Sequence, residues 1–148
     1  MNRRLLVSAA LVASSLFGLA LNATEASAAG KPQYYVALGD SYAEGYQPGF
    51  TDNSETLRGY VNQVAGLVKA KNWTLENFGC GGATSHSILY TTGCSALATN
   101  GVSYPTTTQA RAAINFINAH KGQIALITIS IGGNDFDACI NDADPVTC

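Results

Sequence analysis

Three short stretches of this 148-residue chain carry residue types suited to presenting a hydroxyl and to binding negative charge. Gly39-Asp40-Ser41 sets a hydroxyl directly after an apolar run. Gly79-Cys80-Gly81-Gly82 lets backbone N–H groups approach a ligand closely, and Gly132-Gly133-Asn134-Asp135 supplies a neutral amide donor. A serine at the end of a buried strand exposes its hydroxyl at the sheet edge, and N–H groups at a following helix start favour negative charge. The side chain of Asn134 is a neutral donor suited to an oxyanion, and the N–H of Gly82 is one that a close ligand can reach. Each residue also has a plain structural reading: Asp40 and Ser41 suit a helix N-cap, Gly82 a tight turn, and Asn134 a turn with left-handed backbone. Two other motifs are excluded. Ala43 stands where a Gly-x-Ser-x-Gly elbow needs its last glycine, and no Gly-x-x-x-x-Gly-Lys-Ser/Thr phosphate loop occurs.

The elements that must hold these stretches follow from periodicity. Residues 34–38 form a short apolar run suited to a buried parallel strand, and residues 73–78 and 124–131 read as a second and third strand. Tyr60, Val61, Val64, Ala65, Leu67 and Val68 predict an amphipathic helix over residues 56–69; Ala110, Ala113, Ile114 and Ile117 predict another over 107–119. Residues 86–106, rich in Thr, Ser, Gly and Asn, read as a long loop. Strands alternating with helices predict a parallel sheet, whose ligands bind at the carboxyl ends of the strands. All three candidate stretches fall at such ends.

Composition and targeting signals narrow the class. With 47% hydrophobic and 12% charged residues and a formal charge of -2, the chain reads as globular, with no reason to expect nucleic acid or an anionic membrane surface as partner. Arg3-Arg4, an uncharged apolar run over 5–21 and Ala26-Ser27-Ala28 predict a signal peptide over residues 1–28, with one domain over 29–148 and no stable membrane insertion after cleavage. Four cysteines in the exported part predict disulfides. Of three possible pairings, Cys80–Cys94 and Cys139–Cys148 each close a short loop and are the expected ones.

Taken together, Gly39-Asp40-Ser41-Tyr42-Ala43-Glu44-Gly45, Asn77-Phe78-Gly79-Cys80-Gly81-Gly82-Ala83-Thr84-Ser85 and Ile131-Gly132-Gly133-Asn134-Asp135 resemble, in order, the first three blocks of the GDSL/SGNH hydrolase family, most closely its secreted actinobacterial esterases and lipases. The resemblance implies a three-layer α/β/α, flavodoxin-like fold. It implies that Ser41 is the nucleophile and that its own N–H, the N–H of Gly82 and the Asn134 side chain form the oxyanion hole. Asp40 and Asp135 would brace the turns. No metal and no organic cofactor is implied; the substrate would be a small-molecule or lipid ester, and the full-length protein a secreted monomer. Polysaccharide acetyl esters and phospholipids are alternative substrates. Tyr42, Tyr46, Phe50, Tyr90 and Tyr104 are aromatic residues that suit either an acyl or sugar site or ordinary packing.

One family block has no counterpart. The Asp-x-x-His that supplies the general base is not met at His86, which has Ala83 three residues before it, or at His120, which has Ile117. The base is therefore expected outside these residues, and the fold is expected to be truncated after its third strand, leaving one apolar edge of 124–131 unpaired. A serine without its base loses on the order of 10⁶ in turnover, so residues 1–148 alone are expected to be nearly inactive. A binding module or remnant that keeps the cleft without turnover is the competing expectation.

Overall fold

The computed structural model describes residues 30–49 and 57–140. The expected signal peptide, Phe50 and Cys148 lie outside these residues, so the Cys139–Cys148 pairing does too. Strand β1 (Gln33–Gly39) is buried from Tyr35 onward because it has an apolar layer on each face. It is the central strand of a three-stranded parallel sheet, with β2 (Trp73–Asn77) on one side and β3 (Ile124–Ser130) on the other. The order β2-β1-β3 reverses the winding direction at β1. In open sheets of this kind, ligands bind outside the carboxyl ends of the strands at such a switch point.

Alternation along β1 divides the core in two. Tyr35 and Ala37 pack on one face with Ala43 of α1 (Ser41–Glu44) and Val61 of α2 (Tyr60–Lys69), joined by Val64 and Val68. Val36 and Leu38 pack on the other face with Phe78, Tyr104, Ile88 of α3 (Ser85–Tyr90) and Ala113 of α4 (Gln109–Ala119). The result is the expected α/β/α sandwich. The chain then continues from β3 into α5 (Gly133–Ile140).

Three expectations change in the structure. The segment read as a loop from residue 86 begins as helix α3. Thr84 and Ser87 cap it reciprocally, Ser87 N–H donating to Thr84 Oγ1 at 3.0 Å and Thr84 N–H to Ser87 Oγ at 2.8 Å. Helix α4 starts at Gln109, because Thr108 caps it by accepting from Arg111 N–H at 3.3 Å. Asn134 does not sit in a left-handed turn: it lies in the first turn of α5, and the positive-φ residue is Gly132. Among the described residues β3 pairs with β1 alone, and Ile127 and Ile129 on its α4-side face are 45% and 61% exposed. Among the described residues no helix is long and apolar enough to cross a membrane.

Candidate active site

The first turn begins where β1 leaves the sheet. Gly39 has φ +135, and a Cβ there would run into the Ser130 carbonyl of β3, so only glycine fits. Asp40 is 3% exposed and is the N-cap of α1, its Oδ1 accepting from Tyr42 N–H at 3.0 Å. The capping role thus falls to Asp40, and the half-buried Ser41 is the first helical residue. Its hydroxyl makes no hydrogen bond among the described residues, and its N–H, one of the orphan donors of a helix start, is given to no protein acceptor there.

The second turn is held against the first. Cys80 N–H donates to Gly39 C=O at 3.0 Å. Buried Asn77 spans both, its Nδ2 donating to Ala43 C=O at 2.8 Å and its Oδ1 accepting from Gly79 N–H at 2.9 Å. The Cys80–Cys94 disulfide and a 2.8 Å bond from Gly81 N–H to Ala96 C=O fasten the following loop to this turn. Gly82, at φ +75, is exposed; no Cβ contact would arise there, and its N–H donates to no protein group among the described residues.

The third turn closes the set. Asn134 Nδ2 donates to Ala83 C=O at 2.8 Å, which leaves the second N–H of the same amide available. The Asp135 carboxylate accepts from Ser85 N–H at 3.0 and 2.9 Å and from the Ser85 hydroxyl, capping α3 from 50 residues away. The Ser85 hydroxyl, then its N–H, hold the Asp135 carboxyl below the usual carboxylate value. Asp40 N–H donates to Ser130 C=O at 2.9 Å, and a Cβ on Gly133 would lie 3.8 Å from Asp40 Oδ2. The turns bearing Ser41, Gly82 and Asn134 are therefore cross-tied at one edge of the sheet.

Other sequence candidates fall elsewhere. His120 caps α4, its Nδ1 2.8 Å from Phe116 C=O and its ring against Tyr34 at the start of β1. That is roughly 20 Å of strand from Ser41. His86 is exposed on α3, its ring tilted at 42° to that of Tyr90 with the centroids 4.9 Å apart. Tyr104 is buried and donates to Phe78 C=O at 3.1 Å, and Tyr42 packs edge-on against Tyr46. A cleft of about 530 Å³ opens beside the second turn, lined by Gly82, Ala83, Thr91, Thr92, Tyr104 and Pro105 among others. Neither Ser41 nor Asn134 lines it.

Sequence reasoning passed over Gln109. It is 2% exposed and bonded to both backbone groups of Gly39, Oε1 accepting from N–H at 2.8 Å and Nε2 donating to C=O at 3.0 Å. The signal was present: Gln109 lies four residues before buried Ala113, a polar side chain on the apolar face of its helix. A family model described as GDSL-like Lipase/Acylhydrolase family matches residues 37–147. No curated protein and no solved structure gives a significant match.

Proposed function

Because the chain belongs to the GDSL-like lipase/acylhydrolase family, we propose that it is a secreted carboxylic-ester hydrolase with Ser41 as nucleophile. Ser41 Oγ attacks the ester carbonyl carbon, and the carbonyl oxygen takes up the negative charge. The N–H groups of Ser41 and Gly82 and the remaining N–H of Asn134 receive that charge. The seryl proton passes to a histidine, which the family pattern sets C-terminal to Asn134, and from there to the leaving alcohol; water then releases the acid. One observation carries this reading. The Asn134 amide is anchored on Ala83, the residue after Gly82, while the Gly82 N–H donates to no protein group among the described residues. Export is supported by the Cys80–Cys94 disulfide, a bond characteristic of oxidising compartments.

The full-length gene product is expected to hydrolyse p-nitrophenyl acetate and butyrate, and a panel of acetylated polysaccharide and phospholipid assigns the natural class. Ser41→Ala should lower kcat by about 10⁴–10⁶-fold. Wild-type activity in that variant rules the assignment out. The competing, non-catalytic reading has a different expected outcome. A full-length protein that binds esters without turning them over would establish it.

A further inference from the structure

Among the described residues, the buried polar side chain with the most hydrogen bonds is not in the three turns but beneath them. Gln109 projects from the first turn of α4 and meets Gly39, two residues before Ser41. At Gly39 the positive φ turns the chain out of β1, so its N–H and C=O both need partners inside the protein. A carboxamide offers one acceptor and one donor side by side, and Gln109 uses both on this single residue. The Gly39 carbonyl is shared: it also accepts from Cys80 N–H at 3.0 Å, at the start of the turn that carries Gly82. Gln109 Nε2 further reaches Tyr104 Oη at 3.3 Å, and that hydroxyl donates to Phe78 C=O at 3.1 Å, at the end of β2. Burial raises the Tyr104 hydroxyl above its ordinary value, so it stays a neutral donor.

We propose that Gln109 is a positioning residue that sets the Ser41 turn against the Gly82 turn by clamping both peptide groups of Gly39. This rests on Ser41 being the nucleophile and Gly82 an oxyanion donor. Gln109 spends its carboxamide on Gly39 and Tyr104 and makes no hydrogen bond to the Ser41 hydroxyl, although it also borders the cleft beside the Gly82 turn; it acts on kcat through the separation and aim of the two turns. A leucine fills similar space and satisfies none of the three bonds. A glutamic acid reproduces the pattern only when protonated, its O–H donating to Gly39 C=O and its C=O accepting from Gly39 N–H. Ionised, it has no proton to donate.

The test compares the full-length wild-type enzyme with Gln109→Glu and Gln109→Leu on p-nitrophenyl acetate, well below each variant's Tm, from about pH 5 to about pH 9, a range that spans a buried carboxyl's titration. Gln109→Leu is expected to lose about 10- to 100-fold in kcat, the scale of a small misplacement of reacting groups, with KM little changed. For Gln109→Glu, the kcat ratio to wild type is expected to climb as pH falls, because acid restores the missing donor. Variants that lower Tm while keeping wild-type kcat make Gln109 a purely structural residue and overturn the proposal, as does a flat ratio for Gln109→Glu. Ser41→Ala, run alongside, separates the two ideas. If it retains activity, the nucleophile assignment has failed; if it is inactive while both Gln109 variants match wild type, only the clamp has failed.

Discussion

Asn134 Nδ2 donates to the carbonyl oxygen of Ala83 at 2.8 Å, across 51 residues of sequence. Alongside the Asp135–Ser85 contacts, this bond ties the third turn to the second, and it orients the amide so that one N–H is used and one is left over. On the proposed mechanism that second N–H receives developing charge. Asn134→Ala is then expected to lower kcat by about 10²–10³-fold, or about 3–4 kcal/mol of transition-state stabilisation, with a small change in KM. Asn134→Asp should be at least as damaging, since it sets a carboxylate against the Ala83 carbonyl. Steady-state kinetics of the full-length protein decide both.

Asp135 gives a pH dependence of known sign. Its folded-state carboxyl lies below its ordinary value because the Ser85 hydroxyl and N–H stabilise the ionised form. The stability it adds is fully present above the unfolded-state value of about 4 and fades as pH falls through the lower folded-state value. The Tm difference between wild type and Asp135→Ala should hold steady from about pH 5 to about pH 7 and shrink on acidification below about pH 4. A difference that grows toward acid contradicts the Ser85 contact.

Breaking the Cys80–Cys94 bond releases the loop that fastens to the Gly82 turn. The cysteines are 14 apart in sequence, and a loop of that size corresponds to about 3 kcal/mol of stabilisation. The double variant Cys80→Ala/Cys94→Ala should unfold at a correspondingly lower temperature. Reductant should lower the wild-type Tm and leave the variant less affected.

Tyr60 carries a buried hydroxyl with no hydrogen-bond partner of acceptable geometry among the described residues. It lies beside Thr128, whose hydroxyl is taken by Tyr35 at 2.9 Å. Removing an unsatisfied buried group is neutral or favourable, so Tyr60→Phe should change stability by between zero and about 1 kcal/mol, upward. Urea unfolding measures this; a clear loss means that the hydroxyl has a partner.

The strands and the larger helices were legible in the sequence for a physical reason. An apolar run such as that of β1 must be covered on both faces, and the Val61-Val64-Val68 stripe must face a core, whatever else the chain does. The shorter helices were less legible, because α3 rests on a reciprocal Thr84–Ser87 cap in a stretch whose composition reads as loop. The parallel order β2-β1-β3 follows from alternation only as one option among several, and pairing between strands about ninety residues apart selects it.

Sequence alone determined which three stretches end the strands and which of their side chains bear a hydroxyl, an amide or no Cβ, because those properties belong to the residues themselves. Only the tertiary structure decided how they meet. Asp40 rather than Ser41 became the cap, Ala83 took one proton of Asn134, Ser85 captured Asp135, and Gln109 closed on Gly39. Each is a contact between groups from 2 to 70 residues apart. Such contacts arise where packing brings a donor and an acceptor together, in the interior at Gln109 and at the surface at Asp135, a condition that residue type and spacing do not express.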